Sequence, residues 1–569
     1  MYYLTMMDSW LYDETKPFIH IEAGDTFDEL KKNARNGYFE KLIKEYLLDN
    51  NHKSIISLVP EYGLEKEKEQ KEADKLAEYK STLTNDELEE LVKKTKELKE
   101  YQDTPSSQED LEKIPMLELS DIKREPAKDY NDVKSVDGIK IVHHNIFTNK
   151  IAYINMSFDT KCVPDELIPY MGLLGSTLSL MDTKNYTYPE LTNEININCG
   201  GLATGTALYS DKVDFSKNTI VYEVKSKALY EKVPFVLGMM EEIMYNTRFD
   251  DYKRLKEIIA RIKSRLEASL MGQGHSIAML ECCAQFSESA YYSDILRGYK
   301  YYEFIKKLDE EFEQNKTQIV DKLNKLVGYI FNKDNVIVSL TADDEGYDCF
   351  VKALSAKSCN IKDEHYNTAV RSFIPVNVKT GYTSASQVQY VARCGNFVKD
   401  GYKYTGALKV LKVIFSYDYL WINVRVKGGA YGCMSGSSRN GDFYMVSYRD
   451  PNLEKTNDIY EGAADYIRNF DVSRRDMVKF IIGTIGEIDA PLTPSAIGSR
   501  SFTHYMCNCT EDMLRKDREE VLDATVESIR ELAPLIESAV GQNYLCVVGN
   551  QKQINEAADL FDEIKPLIG

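Results

Sequence analysis

The sequence lacks long uncharged runs and has no excess of positive charge. Its 569 residues carry 71 Lys and Arg against 90 Asp and Glu, a formal net charge of −19. A bilayer span needs roughly 18 to 20 consecutive apolar residues, and residues 1–4 lack the basic start of a signal peptide. A strongly acidic chain repels nucleic-acid phosphates and anionic lipids. We therefore predict a soluble, cytoplasmic protein that binds neither nucleic acid nor a membrane.

Cysteine motifs are also missing. The eleven cysteines are an odd number, lie mostly in apolar stretches and show no C-x-x-C spacing, which predicts reduced core thiols. The closest group of metal-ligating types is His504, Cys507 and Cys509. It has no fourth ligand nearby and fits no standard structural zinc spacing, so we reject a metal there.

A charged linker lies between about residues 61 and 113, where Lys and Glu dominate. Residues 84–87 form a capping box, and an apolar stripe follows it at helical spacing: Leu88, Leu91, Val92 and Leu98. We predict an antiparallel helical hairpin over residues 61–115, its stripe packed on one partner helix. A disordered charged spacer is the alternative.

After the linker the same order of elements occurs twice. In each copy a strand and a helix lead to a glycine pair, Gly200-Gly201 in the first and Gly428-Gly429 in the second. A strand pair, further helices and a closing strand follow. This duplication predicts an α+β fold with two homologous domains, each an antiparallel sheet with helices, over residues 116–345 and 346–569.

The first sixty residues match only the end of such a copy. A predicted helix at 38–48 and a predicted strand at 54–59 flank two asparagines, as helix, asparagine and strand do at Asn335 and Asn543. Sixty residues are too few to bury a comparable core. We therefore predict that residues 1–60 are the C-terminal tail of an upstream domain, so that the chain begins inside a domain.

Two segments of the second copy carry a family resemblance. Residues 424–432 read Val-Arg-Val-Lys-Gly-Gly-Ala-Tyr-Gly, and residues 447–451 read Ser-Tyr-Arg-Asp-Pro. With the two repeats and the hairpin, they resemble the C-terminal half of a presequence-protease-like zinc peptidase of the pitrilysin/insulinase family, over essentially the whole chain. The resemblance implies four homologous domains in two halves that enclose a chamber, with this chain supplying the inactive third and fourth.

The resemblance implies catalytic roles for Arg425 and Tyr431 and substrate contact at Gly428 and Gly429. These residue types suit an electrophilic clamp. A guanidinium stays charged and donates two parallel hydrogen bonds, and a phenol donates to a developing oxyanion. The two glycines allow a bend that turns residues six positions apart toward one ligand.

Arg449 is a weaker candidate for substrate contact. It lies in a Tyr-Arg-Asp-Pro turn after the next predicted strand, where it would also face the chamber. The alternative is that Arg449 holds this turn through Asp450.

The histidines do not form the zinc motif of the family. None of the seven belongs to H-x-x-E-H or H-E-x-x-H. His143 and His144 are adjacent on a predicted strand and therefore point to opposite faces. Residues 169–174, at the place of the zinc helix, are apolar and free of ligands. The resemblance therefore implies that a missing N-terminal half binds the zinc, and that this chain binds none.

These observations predict the C-terminal half of a zinc-dependent oligopeptidase that degrades unfolded peptides in a closed chamber and is inactive by itself. Its partners would be the zinc-binding half and peptides. The alternative is a non-catalytic scaffold or partner subunit of the same superfamily. A nucleotide-binding module is rejected because residues 427–436 contain neither G-x-x-x-x-G-K-[ST] nor G-x-G-x-x-G.

Overall fold

The computed structural model describes residues 2–59, 61, 63–104, 106–356 and 360–568. The chain forms two compact units, Met1–Ile114 and Pro115–Gly569. The predicted division of the first 115 residues into a domain tail and a linker stays a prediction.

The first unit is helical over its described residues. Its α-helices are α1 Tyr2–Trp10, α2 Gly24–Ala34, α3 Tyr38–Leu42, α4 Leu64–Thr82, α5 Asn85–Asp103 and α6 Gln108–Glu112, and α3 continues as a π-helical turn, Ile43–Leu48. The strand predicted at 54–59 is wrong: this segment is extended but unpaired, and Ile55 and Leu58 are both 98% exposed. A strand needs a neighbour for its backbone groups, and no other strand lies among the described residues of this unit.

The linker forms two helices, α4 and α5, rather than a disordered spacer. The predicted capping box is present, with the side chain of Thr84 bound to the amide of Glu87 and the side chain of Glu87 bound back to the amide of Thr84. The predicted burial of the apolar stripe is wrong, because Leu91, Val92 and Leu98 are exposed. Helix α4 consists mainly of Lys, Glu and other polar residues, so it offers α5 no apolar face to pack against.

The second unit contains two six-stranded sheets. The first sheet consists of β1 Asp132–Val136, β2 Ile139–Asn145, β3 Ile151–Asp159, β4 Leu202–Ser210, β5 Asn218–Leu229 and β6 Val336–Ala342. The second consists of β7 Thr380–Ser384, β8 Tyr390–Asn396, β9 Gly432–Ser437, β10 Asp442–Tyr448, β11 Tyr544–Asn550 and β12 Glu563–Pro566. The α+β class is therefore confirmed.

Helices surround both sheets. The first half holds α7 Ile168–Thr177, α8 Tyr188–Asn198, α9 Val233–Tyr245, α10 Tyr252–Gly272, α11 Gly274–Ala284, α12 Glu288–Arg297, α13 Tyr299–Glu310, α14 Phe312–Ile330 and α15 Asp344–Ser355. The second half holds α16 Ala407–Tyr417, α17 Glu454–Glu461, α18 Ala463–Arg468, α19 Arg474–Ile488, α20 Pro494–Met506, α21 Glu511–Leu522, α22 Val526–Arg530, α23 Ala533–Gly541 and α24 Gln551–Glu556. Over the described residues, every helix is too short or too polar to reach across a bilayer.

The two sheets repeat one topology. Their strand orders are β1-β2-β6-β3-β5-β4 and β12-β7-β11-β8-β10-β9, so five strands correspond in order. In both sheets the third strand pairs in parallel with the second and antiparallel with the fourth. The first position differs, because β1 precedes its sheet and runs antiparallel to β2, whereas β12 follows its sheet and runs parallel to β7.

Each sheet packs one face against the helices of its own half and the other face against a helix of the other half. Helix α11 covers β8, β10 and β11, where Ala278 and Cys282 are buried against Ala392 and Cys546. Helix α20 covers β6 and β2 around Phe502. The ten cysteines in the described ranges are free thiols, as predicted, while Cys359 lies outside these ranges.

This exchange explains the two buried histidines of β2. His143 stacks on Tyr347 of α15, with ring centroids 4.7 Å apart, while His144 meets the ring of Phe502 from α20 edge-on at 6.2 Å. The two side chains therefore point to opposite faces of the sheet, as predicted. Burial lowers the pKa of His144 to about 4, so this imidazole is neutral at physiological pH.

Close approach of the exchanged helices requires glycine. A Cβ on Gly498 of α20 would lie 1.9 Å from Oγ1 of the buried Thr341 in β6. A Cβ on Gly274, the first residue of α11, would lie 2.3 Å from the ring of Tyr390 in β8. Neither ring nor strand can yield by such a distance, so both helix contacts depend on a missing side chain.

We predict that Gly498→Ala lowers the free energy of unfolding by about 1 to 3 kcal/mol, the usual cost of overpacking a core. The matched control is Gly486→Ala in α19, where an added Cβ meets nothing within 4 Å. This control is expected to stabilise by about 0.5 to 1 kcal/mol through helix propensity. Urea and thermal unfolding measure both, and equal effects of the two substitutions would contradict the tight contact.

A carboxyl pair is buried beside the α11 contact. Asp294 of α12 is fully buried, and Oε2 of Glu281 in α11 accepts a 2.6 Å hydrogen bond from the hydroxyl of Tyr382 in β7. Burial and the neighbouring carboxyl of Glu281 raise the pKa of Asp294 well above its ordinary value, although Nζ of Lys300 lies 3.5 Å away and opposes the shift. The folded protein therefore holds a proton between the two carboxyl groups.

We predict that this pair makes the protein less stable as pH rises. A carboxyl whose pKa is higher when folded favours folding at low pH, and that contribution is lost from about pH 4 up to the raised pKa. Asp294→Asn, which cannot ionise, is expected to be more stable than the wild type at pH 8 by about 1 to 3 kcal/mol. The control is Asp348→Asn at an exposed position of α15, and urea unfolding from pH 5 to 8 measures the difference. Parallel pH curves for wild type and Asp294→Asn would contradict the shared proton.

Candidate functional site

The structure brings Arg425 and Tyr431 together. Arg425 lies in a π-helical turn, Trp421–Val426, that follows α16. Its guanidinium carbon is 3.9 Å from the ring centroid of Trp421 and 6.0 Å from that of Tyr431. The indole supports one face of the guanidinium through a cation–π contact and fixes its plane.

The glycine pair makes the turn between these two residues. Gly429 has a φ of +83°, and a Cβ on Gly428 would lie 2.4 Å from the carbonyl oxygen of Val424. The chain then folds back on the π-helical turn, because the amides of Gly429 and Ala430 donate to the carbonyls of Arg425 and Val424 at 2.8 and 3.1 Å. A larger residue at either position would separate Arg425 from Tyr431.

Tyr431 stands directly before strand β9 and projects outward. Its amide donates to the carbonyl of Tyr448 at 3.1 Å, and the two rings meet edge to face at 5.8 Å. The side chain is otherwise open, since Tyr431 is 67% exposed. A phenol held at one edge and open elsewhere is available to an external ligand.

The ring of Tyr448 links Tyr431 to the other half of the unit. Tyr448 packs edge to face on His275 at 4.9 Å and lies 5.8 Å from the ring of Tyr390. His275 is the second residue of α11, the exchanged helix. No sequence signal links His275 or Tyr390 to the clamp, because both lie far from it along the chain.

Arg449 borders the same cluster. Its backbone is left-handed, with a φ of +49°, and its guanidinium carbon lies 5.6 Å from the ring centroid of Tyr448. The carboxylate of the buried Asp450 instead accepts hydrogen bonds from the amide of Asn452 at 2.9 Å and the hydroxyl of Thr456 at 2.7 Å. Among the described residues no ion pair joins Arg449 to Asp450, so the turn is held without the arginine side chain.

Nucleophilic chemistry by a thiol is disfavoured here. Burial raises the pKa of Cys433, two residues after Tyr431, to about 12. Burial also lowers the pKa of His275, so this imidazole stays neutral. The cluster offers hydrogen-bond donors and a positive charge to a ligand, which are the properties of an oxyanion-binding site.

Metal-ligating groups lie elsewhere in the second unit. His504, considered above with two cysteines, instead pairs its Nδ1 with Asp129 at 2.7 Å. Within the described part of the chain, three exposed residues bring ligand atoms within 4.8 Å of one another: Asp334, Asp363 and His365. Helix α7, at the place where the resemblance puts a zinc helix, carries no His, Cys, Asp or Glu. These residues do not fit the zinc site of an active peptidase domain.

Comparisons with known proteins match nearly all of the chain. The family model for the region associated with subfamily C of the M16 peptidases matches residues 58–308, and the model "PreP C-terminal domain" matches residues 381–550, which include the clamp. Protein HypA of Clostridium perfringens is 39% identical over 573 residues, covering 100% of this chain and 58% of that protein. Presequence protease 1, chloroplastic/mitochondrial, of Arabidopsis thaliana is 29% identical over 577 residues, covering 99% of this chain and 53% of that protein.

Among solved structures, a peptidase M16 inactive domain from Pseudomonas fluorescens aligns with a TM-score of 0.51 at 14% identity, covering 77% of this chain and 98% of that one. The fold is therefore that of M16 peptidase domains. More narrowly, the chain belongs to the presequence-protease-like M16 peptidases and corresponds to their C-terminal half. It spans little more than half the length of the curated relatives it matches.

We predict that Trp421 reports on the arginine of the clamp. The chain has two tryptophans, so Trp10→Phe leaves Trp421 as the single indole. In that background Arg425→Ala is expected to shift the emission to longer wavelength, because the guanidinium that covers the ring at 3.9 Å is replaced by water. Arg449→Ala is the control, and fluorescence spectra measure both. An unchanged spectrum for Arg425→Ala would contradict the contact.

Proposed function

We propose that this chain is the C-terminal half of a zinc-dependent oligopeptidase that degrades unfolded peptides inside a closed chamber. Its contribution is to bind the peptide and to stabilise negative charge through Arg425 and Tyr431. The single observation that carries the proposal is the clamp itself: an oriented guanidinium 6.0 Å from the ring of a phenol that is 67% exposed.

The chemistry of the clamp suits peptide hydrolysis. When a peptide bond is attacked, its carbonyl oxygen gains negative charge in a tetrahedral intermediate. The hydroxyl of Tyr431 would donate a hydrogen bond to that oxygen. Arg425, kept planar by Trp421, would donate parallel hydrogen bonds to a neighbouring carbonyl and hold the peptide in register. Gly428 and Gly429 would let the peptide backbone approach without a side chain in the way, and Arg449 would add positive charge beyond Tyr448.

The remaining components are assigned to a partner. Because the residues of this chain do not fit a catalytic zinc site, we assign the zinc and the general base to an N-terminal half, in the same polypeptide or in a second one. A peptide would then be cleaved only when both halves enclose it, and this chain alone would be inactive. The cytoplasmic location stays a prediction.

We predict that Tyr431→Phe lowers kcat by about 100-fold, the usual loss for one oxyanion donor. The enzyme for this test is the chain joined to its zinc-binding half, assayed with a fluorogenic peptide. Tyr417→Phe is the matched control, because Tyr417 is 68% exposed and Tyr431 67%. Arg425→Ala is expected to raise KM as well as lower kcat, and Arg425→Lys to recover only part of the loss, since lysine cannot donate as a planar fork.

Two results would reject the proposal. One is peptide cleavage that Tyr431→Phe and Arg425→Ala leave at the wild-type rate. The other is cleavage by this chain alone in the presence of a chelator. Wild-type assembly with the zinc-binding half, together with insensitivity to both substitutions, would favour the alternative of a non-catalytic scaffold.

A further inference from the structure

A cleft of about 580 Å³ lies beside strand β9, away from the clamp residues. Helices on both faces of the second sheet contribute to it: α11 and α12 on one face and α16 on the other. Its walls include Leu280 and Leu408, and residues 435–438 form its floor. Because the flanking helices come from both faces, the cleft runs along the edge of the sheet, and its size is typical of a ligand site.

Strand β9 is the last strand of its sheet and has unpaired backbone groups on that edge. It pairs only with β10, in the register Ser437 to Phe443 and Ser435 to Met445. The amide of Ser438 donates to the carbonyl of Asp442, so hydrogen-bonded pairs recur at every second residue from there. The amides and carbonyls of Ser435 and Ser437 therefore point away from β10. No other described backbone group bonds to them.

Two side chains of the cleft also lack partners. Ser435 is only 3% exposed, and its buried hydroxyl has no hydrogen-bond partner among the described residues. Arg297, at the end of α12, is exposed and has neither an ion pair nor a hydrogen bond to the described part of the chain. The neighbouring cations are neutralised, since Lys409 pairs with Asp517 at 3.1 Å and Lys412 with Glu487 at 2.8 Å. Arg297 is thus an unpaired positive charge in a chain of net charge −19.

We propose that this cleft is a second peptide-binding site, in which an extended peptide adds to the open edge of β9 and places a carboxylate on Arg297. Backbone groups of Ser435 and Ser437 would pair with the peptide backbone, as in other cases of strand addition. Leu280 and Leu408 would receive apolar side chains, and the hydroxyl of Ser435 would gain a partner. The choice of a peptide as ligand rests on the proposed function.

Charge recognition is tested on this chain alone, without zinc and without the other half. The probe is a fluorescein-labelled hexapeptide of alternating threonine and valine with a free C-terminus, and binding is followed by fluorescence anisotropy at low salt. Arg297→Gln is expected to weaken binding about tenfold, the loss of one charge-assisted contact. Arg261→Gln, at an exposed position of α10, is the matched control. Equal binding by the two variants would overturn the proposal.

The source of the carboxylate is separated by two further peptides. One has the same sequence with a C-terminal amide, and the other has that amide and one internal glutamate. The amide without glutamate should bind wild type and Arg297→Gln alike. Restored affinity with glutamate assigns the contact to an acidic side chain, and its absence assigns the contact to the C-terminus. Equal binding of all three peptides to the wild type would overturn the proposal.

Backbone pairing is tested from both sides. Ser437→Pro removes one outward amide and no amide of the β10 ladder, as proline does at strand edges, and is expected to abolish binding, whereas Ser437→Ala is expected to preserve it. N-methylation of the peptide at alternate residues tests the same pairing in the unmodified protein. One set of methylated positions should prevent binding and the other should not. Equal effects of both sets would reject strand addition, whatever the result of the proteolysis assay.

Discussion

The exchange of two helices between the halves of the second unit is the packing constraint on which the rest of that unit depends. Helix α11 covers the second sheet and helix α20 covers the first. An antiparallel sheet commonly leaves one face to solvent, but here both faces of both sheets are buried. Each half therefore completes the core of the other, and the two halves form one cooperative unit. The glycines at the two contacts mark how close the helices must come.

This exchange also positions the clamp. Tyr431 is oriented by Tyr448, and Tyr448 in turn packs on His275 at the start of α11. A residue of the first half therefore fixes a phenol of the second half through one intervening ring. Aromatic contacts of this kind contribute modestly to stability but restrict orientation strongly, and orientation is what an oxyanion donor requires. Movement of the two halves against each other would displace Tyr431 before it disturbed either core.

Local features were predictable from the sequence because a few adjacent residues determine them. The capping box at Thr84, the buried stripe of α10 and the glycine turn at Gly428 all appear in the structure. Nonlocal features were not predictable. Helix α11 is apolar on nearly every side, so its pattern does not indicate which sheet it covers. Residues 54–59 have a strand-like composition, but composition cannot supply the neighbouring strand that pairing needs.

The two ends of the clamp loop connect the proposed sites physically. Tyr431 precedes β9 directly, and the outward-facing backbone of β9 continues to Ser437. A peptide paired with this edge would extend along the same strand that begins at the clamp, so binding at the edge would limit the directions from which a substrate reaches Tyr431. The corresponding strand of the first half, β4, has the same edge position, but Gly200 and Gly201 lead into it without an Arg-to-Tyr pair around them. The duplicated fold thus supplies two open edges, and only one of them starts at a clamp.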